Sequence, residues 1–168
     1  MNKILSAFIL FTIMGSASAK ISFSPTADLS DISIDTVYVE GTEYHQITIE
    51  GFPFPMDGVQ NVGAPSIPFS APSFLLHPNL QIDTVTVLSS TWEPLPGKYY
   101  LYPAQTGIMT DTTFVLPDST IYNSSNPFPD QPVEIIRQGS AMGYSVVTLS
   151  GSPVRYPGRQ HWSQVDIF

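Results

Sequence analysis

Three histidines, His45, His77 and His161, carry the side chains of widest chemical reach in this chain. None stands at H-x-x-x-H or H-E-x-x-H spacing, which would put two imidazoles on one side of a metal ion. Each therefore reads as a surface residue or a satisfied core residue. The 14 Asp and Glu are scattered singly, without the D-x-D-x-D-G density that surrounds calcium with oxygens. Gly139-Ser140-Ala141-Met142-Gly143 has the look of a nucleophile elbow. Its serine comes one position early for G-x-S-x-G, and a turn ahead of a strand at Tyr144 is the better account. No glycine-rich phosphate loop follows a strand and opens a helix. Two distant carboxylates can meet in space for glycoside hydrolysis, but nothing here selects a pair. The chain has no cysteine, which excludes a disulfide scaffold, a thiolate metal site and a cysteine nucleophile within it. The expectation is no catalytic residue, no metal and no cofactor.

Binding is what remains. Aromatic residues are plentiful: Trp92, Trp162, eight Tyr and ten Phe. Exposed on one sheet face they could stack on sugars or hold a partner; buried, they form the core of a sandwich. Burial is favoured for most, because alternation sets them beside aliphatic residues on the same face. Six Lys and Arg against 14 acidic groups give a formal charge of −8. That field repels phosphate backbones, so nucleic acid is not an expected partner.

The elements that must position these groups are strands. Sixteen Pro and 11 Gly among 168 residues argue against long helices. Residues 32–39 are rich in β-branched and aromatic side chains, Glu40-Gly41-Thr42 can turn the chain, and residues 43–50 alternate. His45, Ile47 and Ile49 fall on one face of that second strand, and Tyr44, Gln46 and Thr48 on the other. Residues 51–72 hold too many prolines for a central strand and read as an ordered surface loop pinned by Phe52, Phe54, Ile67 and Phe69. Further strands are predicted at 73–76, 81–89, 98–102, 112–115, 133–136, 144–149 and 163–168, with turn chemistry at 122–127. About nine short strands at regular spacing predict an all-β fold, an antiparallel β-sandwich.

Residues 1–19 have the three parts of a secretory signal. Asn2 and Lys3 open it, residues 4–14 are apolar, and Gly15-Ser16-Ala17-Ser18-Ala19 ends it with a small-residue cleavage site before Lys20. The apolar run is far short of the roughly 20 residues that span a bilayer, and no second run follows, so no membrane span is expected. The mature domain is expected to be secreted, extracellular or periplasmic. An exported chain without cysteine fits a bacterial cell better than a eukaryotic secretory pathway.

Several stretches then resemble the N-terminal pro-domain of the gingipain-type cysteine peptidases, peptidase family C25. Val62-Gly63-Ala64-Pro65-Ser66-Ile67-Pro68 looks like that family's G-x-P-x-L-P element. Phe74-Leu75-Leu76-His77-Pro78 is similar to its apolar strand ending in proline, and Val85-Thr86-Val87 to the strand after it. Leu101-Tyr102-Pro103-Ala104-Gln105 resembles its proline segment. Asn126-Pro127-Phe128-Pro129, Val133 and Gly139 follow in order. Gly143-Tyr144-Ser145-Val146-Val147-Thr148-Leu149 and Ser152-Pro153-Val154-Arg155-Tyr156 match the family's closing signature, with Pro157 one step early. The motif residues are thus Gly63, Pro65, Pro68, Pro78, Pro103, Gly143, Tyr144, Pro153 and Tyr156. On this resemblance residues 20–40 form an N-terminal arm and first strand, and residues 41–168 a propeptide-type sandwich domain.

The resemblance implies a pro-segment that docks on a cysteine peptidase catalytic domain, in cis or in trans, covers its substrate cleft and assists its folding. Arginine-specific members of that family insert an Arg a few residues after the proline segment. Here that position falls near Thr110, beside Ile108 and Met109, and the arginine is missing. Ile108, Met109 and Thr110 are therefore the candidates for the inhibitory contact. Arg137, Arg155 and Arg159 read more simply as solvated charges. The family's precursors continue into a domain with catalytic His and Cys, whereas residue 168 here lies within an expected last strand. The alternative reading is a cell-surface adhesion or carbohydrate-binding module using Trp92, Trp162 and the Tyr99-Tyr100-Tyr102 cluster. An enzyme built on a carboxylate pair is a third. Oligomeric state is left open.

Overall fold

A computed structural model describes residues 9–13, 23–52, 61–106, 113–158 and 165–167. Strand β1 (Ile9–Ile13) falls in the N-terminal apolar run 4–14, and β2 (Ile32–Val39) and β3 (Thr42–Ile49) form the predicted hairpin. Eight register pairs run from Ile32↔Ile49 to Val39↔Thr42. Glu40 and Gly41 both take positive φ, 50° and 82°, and that two-residue turn matches the right-handed twist of paired strands. His45, Ile47 and Ile49 are buried as their alternation requires. Tyr44, on the opposite face, is only 3% exposed, because Tyr100 stacks on it at 5.1 Å and Tyr102 and Phe114 crowd its edges.

The second frame is the sheet β4–β8–β7, made by β4 (Ser73–Leu76), β7 (Val133–Ala141) and β8 (Tyr144–Gly151). β7 is longer than predicted, and Gly139, Ser140 and Ala141, read as a turn, are strand. Their partners Val146, Ser145 and Tyr144 supply a complete ladder, and this overrides weak local strand preference. The turn is Met142-Gly143, again with two positive φ angles, 51° and 83°. Between these frames lie β5 (Ile82–Val87), β6 (Glu93–Pro94), β9 (Val154–Arg155) and β10 (Asp166–Ile167), the last three in the order β6–β10–β9. One short helix, α1 (Ser119–Tyr122), precedes the turn at 123–126.

Two predicted strands are not ladders. Residues 98–102 are held by an isolated bridge of Leu101 to His45 and by single bonds to Tyr102 and Leu101 rather than by a ladder, and residues 113–115 form no strand. Prolines at 96 and 103 flank the first segment, and a proline offers no N–H to a ladder. Otherwise the molecule is the antiparallel β-sandwich read from the sequence, with nine strands from β2 to β10 among the described residues. Its larger core cluster gathers Ile47 and Ile49 of β3, Val154 of β9, Ile167 of β10 and the rings of Tyr44, Tyr100, Tyr122 and Tyr156. The smaller lies on the β4–β8–β7 sheet: Leu76, Ile82, Val133, Val147 and Leu149, with Phe23 and Val85 against it.

Candidate functional site

The candidates Ile108, Met109 and Thr110 lie outside the described residues, so the site is built from the two chain segments that flank them. On the upstream side, His45 N–H donates to Tyr100 O at 2.7 Å and Tyr102 N–H donates back to His45 O at 2.9 Å. Residues 63–66 then strap the same segment from its other edge. Gly63 N–H donates to Ala104 O (2.8 Å), Ala104 N–H to Ala64 O (2.7 Å) and Ser66 N–H to Tyr102 O (2.8 Å). Pro103 thus lies between two supports without needing an N–H of its own. Pro65 bridges it directly.

On the downstream side, Val115 is held by a side chain that imitates backbone. The Gln105 amide accepts from Val115 N–H at 2.8 Å and donates to Val115 O at 3.1 Å, while its Nε2 also donates to Pro103 O at 2.8 Å. Gln105 and Val115 enclose residues 107–112, and this pair of bonds closes that stretch at its base. Phe114 packs its ring on Tyr102 (5.7 Å) and Tyr44 (5.6 Å). Asp118 N–H donates to Gly63 O at 2.8 Å, and the Asp118 carboxylate caps α1 by accepting from Thr120 N–H (2.8 Å) and Thr120 Oγ1 (2.7 Å). Those bonds hold its carboxyl below the usual value.

Beneath the site runs a row of four tyrosine rings, Tyr44, Tyr100, Tyr122 and Tyr156, with successive centroids 5.1, 5.3 and 5.4 Å apart. Tyr122 donates its hydroxyl to Leu101 O at 2.8 Å, so a buried carbonyl next to the site is satisfied from below. Burial pushes the phenols of Tyr44, Tyr100 and Tyr122 up, most strongly at Tyr122.

The motif residues divide into two groups. Gly63, Pro65 and Pro103 meet at the base just described. Pro68 and Pro153 are joined to it through Ser152, whose hydroxyl donates to Pro68 O at 2.8 Å, and Tyr156 closes the tyrosine row. Pro78, Gly143 and Tyr144 belong to one end of the β4–β8–β7 sheet, where Leu76 pairs with Ser145. Tyr144 is 53% exposed there. Sequence reasoning placed Gln105 in a motif but gave it no task, and read Val115 as strand. A glutamine ten residues ahead of an unpaired valine carries no recognisable local signal. The Asp118 cap was not singled out from the sequence, although an Asp followed by Ser-Thr is a local signal of the kind that starts helices.

Arg155 is not a solvated charge. Its Nη2 bonds Asp166 Oδ2 at 2.7 Å, and its guanidinium lies 4.5 Å from the centre of the Trp92 ring, fastening β9 to β10. Arg137 is exposed, and His161, Trp162 and Arg159 lie outside the described residues. Tyr100 is buried and Tyr99 and Tyr102 pack on the core, so these rings form no open stacking face. His45 is 8% exposed and bonded through its backbone, as a satisfied core residue is. Among the described residues no three His, Asp or Glu gather as a metal site. An open cleft of about 680 Å³ beside Phe128 holds two carboxylates, Asp130 and Glu134. Both are exposed to solvent, which is not the apolar enclosure that makes a carboxyl a general acid.

Fold and site together define a class: a β-sandwich with no cysteine in its sequence, in which Gln105 and Val115 are bonded to each other. Five chains of solved structures match it. One belongs to the complex of Porphyromonas gingivalis RgpB pro- and mature domains, with a TM-score of 0.62 and 14% identity over 82% of this chain and 70% of that one. Another comes from gingipain K of the same organism, in a structure addressing its zymogenic latency. Its TM-score is 0.52, with 15% identity over 81% of this chain and 75% of that one. The chain therefore shares the gingipain pro-domain architecture over most of its length. No protein-family model matches the chain, and no curated protein does.

Proposed function

We propose that this protein is a pro-domain that inhibits and helps to fold a cysteine peptidase, in cis or in trans, by covering its substrate cleft. Residues 1–19 serve as the export leader, residues 20–40 as an arm and first strand, and residues 41–168 as the inhibitory domain, which works outside the cytoplasm. Ile108, Met109 and Thr110 make the contact that blocks the cleft. A hydrophobic or small side chain there, in place of an arginine, suits a peptidase whose specificity pocket does not select basic residues.

The observation that carries this reading is the base of residues 107–112, where Gly63, Pro65, Pro103 and Gln105 converge from stretches 40 residues apart and fix both ends. Flanks held in advance leave less of the chain to be ordered on docking, so more of the contact energy appears as affinity. The likeness to the RgpB pro- and mature-domain complex supports the same reading. The exposed rings among the described residues, Tyr38 of β2 and Tyr144 of β8, belong to different sheets, and neither is among the Trp92, Trp162 and Tyr99-Tyr100-Tyr102 rings of the carbohydrate-binding alternative. The test is to titrate the purified protein into its cognate peptidase. Saturable inhibition at micromolar concentration, weakened by substitution of Met109 or Thr110, is expected. Full turnover at that concentration overturns the proposal.

A further inference from the structure

Strand β5 has an unusual attachment. Ile82, 4% exposed, and Val85 press on the smaller core cluster, so the strand is fastened by its apolar side. Toward β7, Ile82 N–H donates to the Gln138 side-chain Oε1 at 2.9 Å. Among the described residues β5 shares a ladder with β1 alone. β1 is Ile9–Ile13 of the leader, antiparallel, with Ile9 opposite Val87, Phe11 opposite Val85 and Ile13 opposite Ile82. Cleavage before Lys20 would remove the partner and leave the edge bare. Edge strands are normally guarded by lysine, proline or a cover. The sequence of β5, Ile-Asp-Thr-Val-Thr-Val, contains neither residue, and Asp83, Thr84 and Thr86 are exposed.

We propose that β5 is a strand-acceptor site. Once the leader is gone, its edge takes an antiparallel extended segment of a partner protein with apolar residues at alternate positions. The segment the leader lays there, Ile-Leu-Phe-Thr-Ile, displays that chemistry. Main-chain bonds supply the affinity of such an addition, and alternate side chains its selectivity. A second copy of this chain is the poorer occupant, because each copy without residues 1–19 has 5 Lys and Arg against 14 acidic groups, a formal −9, and like charge opposes self-association. The inference rests on removal of the leader and is independent of the inhibitory reading, which concerns residues 107–112.

All residues of both core clusters lie at Phe23 or beyond, so a chain starting at Lys20 keeps both cores. The probe is a fluorescent Ile-Leu-Phe-Thr-Ile peptide flanked by lysines, followed by anisotropy. The leaderless chain should bind it saturably, and the leader-bearing chain about tenfold more weakly because its site is filled. Two N-methylated peptides complete the test. Methylating the alternate amides that face β5 should cost about tenfold or more, and methylating the other set should change little. No saturable binding, equal binding by both chains, or equal loss from both methylated peptides would overturn the proposal. A leaderless dimer that the peptide dissociates would overturn the assigned occupant in favour of a second copy.

Discussion

The two halves of this molecule are held together by different means. The β4–β8–β7 sheet is a regular ladder, with β7 and β8 paired from Val133↔Gly151 to Ala141↔Tyr144 around one bulge. Among the described residues of 101–106 and 113–118 there is no ladder. Single bridges, a glutamine side chain, a tyrosine hydroxyl and a helix cap satisfy the backbone one group at a time. A ladder spreads its bonds over many residues, so one side chain matters chiefly for packing. Where bonds are made singly, individual polar groups matter, and an irregular segment can be kept in one shape without being strand. That is the property a blocking segment needs.

The comparison can be broken most severely at Tyr122. Tyr122→Ala removes a ring between Tyr100 and Tyr156 and strips Leu101 O of its donor. A loss of about 3–5 kcal/mol is expected in denaturant unfolding, together with weaker inhibition of the cognate peptidase. Leu149→Ala, fully buried in the ladder half, should cost about 2–5 kcal/mol but leave inhibition per folded molecule unchanged. If both variants lose inhibition alike, the halves are not separable.

Gln105→Ala sharpens the contrast. It deletes both bonds to Val115, with about 1–3 kcal/mol expected from stability, and its main effect should be a raised inhibition constant. Gln105→Glu keeps the acceptor for Val115 N–H but not the donor to Val115 O, and should fall between. Gly63→Ala should cost about 1–2 kcal/mol. Its φ is +84°, and the new methyl would stand 3.2 Å from Leu116 O.

Titration gives the two smallest effects. Folding holds the phenol protons of Tyr44, Tyr100 and Tyr122 more tightly than the unfolded chain does, whose tyrosines ionise near 10.0. Stability should be level below that pH and fall as pH rises beyond it, and Tyr122→Phe should flatten the fall. Asp118 acts in the opposite direction. Its folded value lies below 3.8, so its contribution is complete above that pH and vanishes as pH drops through the folded value. Comparing acid unfolding of the protein with that of Asp118→Asn checks the sign.

Much of the architecture was legible. The β2–β3 hairpin, β4, β5 and β8 follow from alternating β-branched residues bounded by Gly, Pro and Asn, a pattern read within one strand and its turn. The candidate site was legible only as a place. Pro103 and Gln105 marked it, but the Gln105 amide's role as surrogate backbone depends on Val115 arriving opposite it. The errors at 98–102 and 112–115 have the same origin: aromatic and β-branched residues look like strand wherever they occur, but a ladder needs a neighbour with free N–H and C=O groups. Arg155 was misread because a charge directly after a buried valine, Val154, gives no sign that Trp92 and Asp166 will come to meet it.

By itself the sequence determined composition-level facts and local geometry: no thiol chemistry, short strands, tight glycine turns and an apolar N-terminal run. These depend on residues a few positions apart, where covalent geometry leaves few choices. Only the tertiary structure decided that Gly63, Pro65, Pro103, Gln105 and Val115 share one site, that four tyrosines form a row beneath it and that, among the described residues, β5 pairs with β1 alone. Those outcomes depend on which distant surfaces exclude water together, a property of the packed chain that no short window of residues contains.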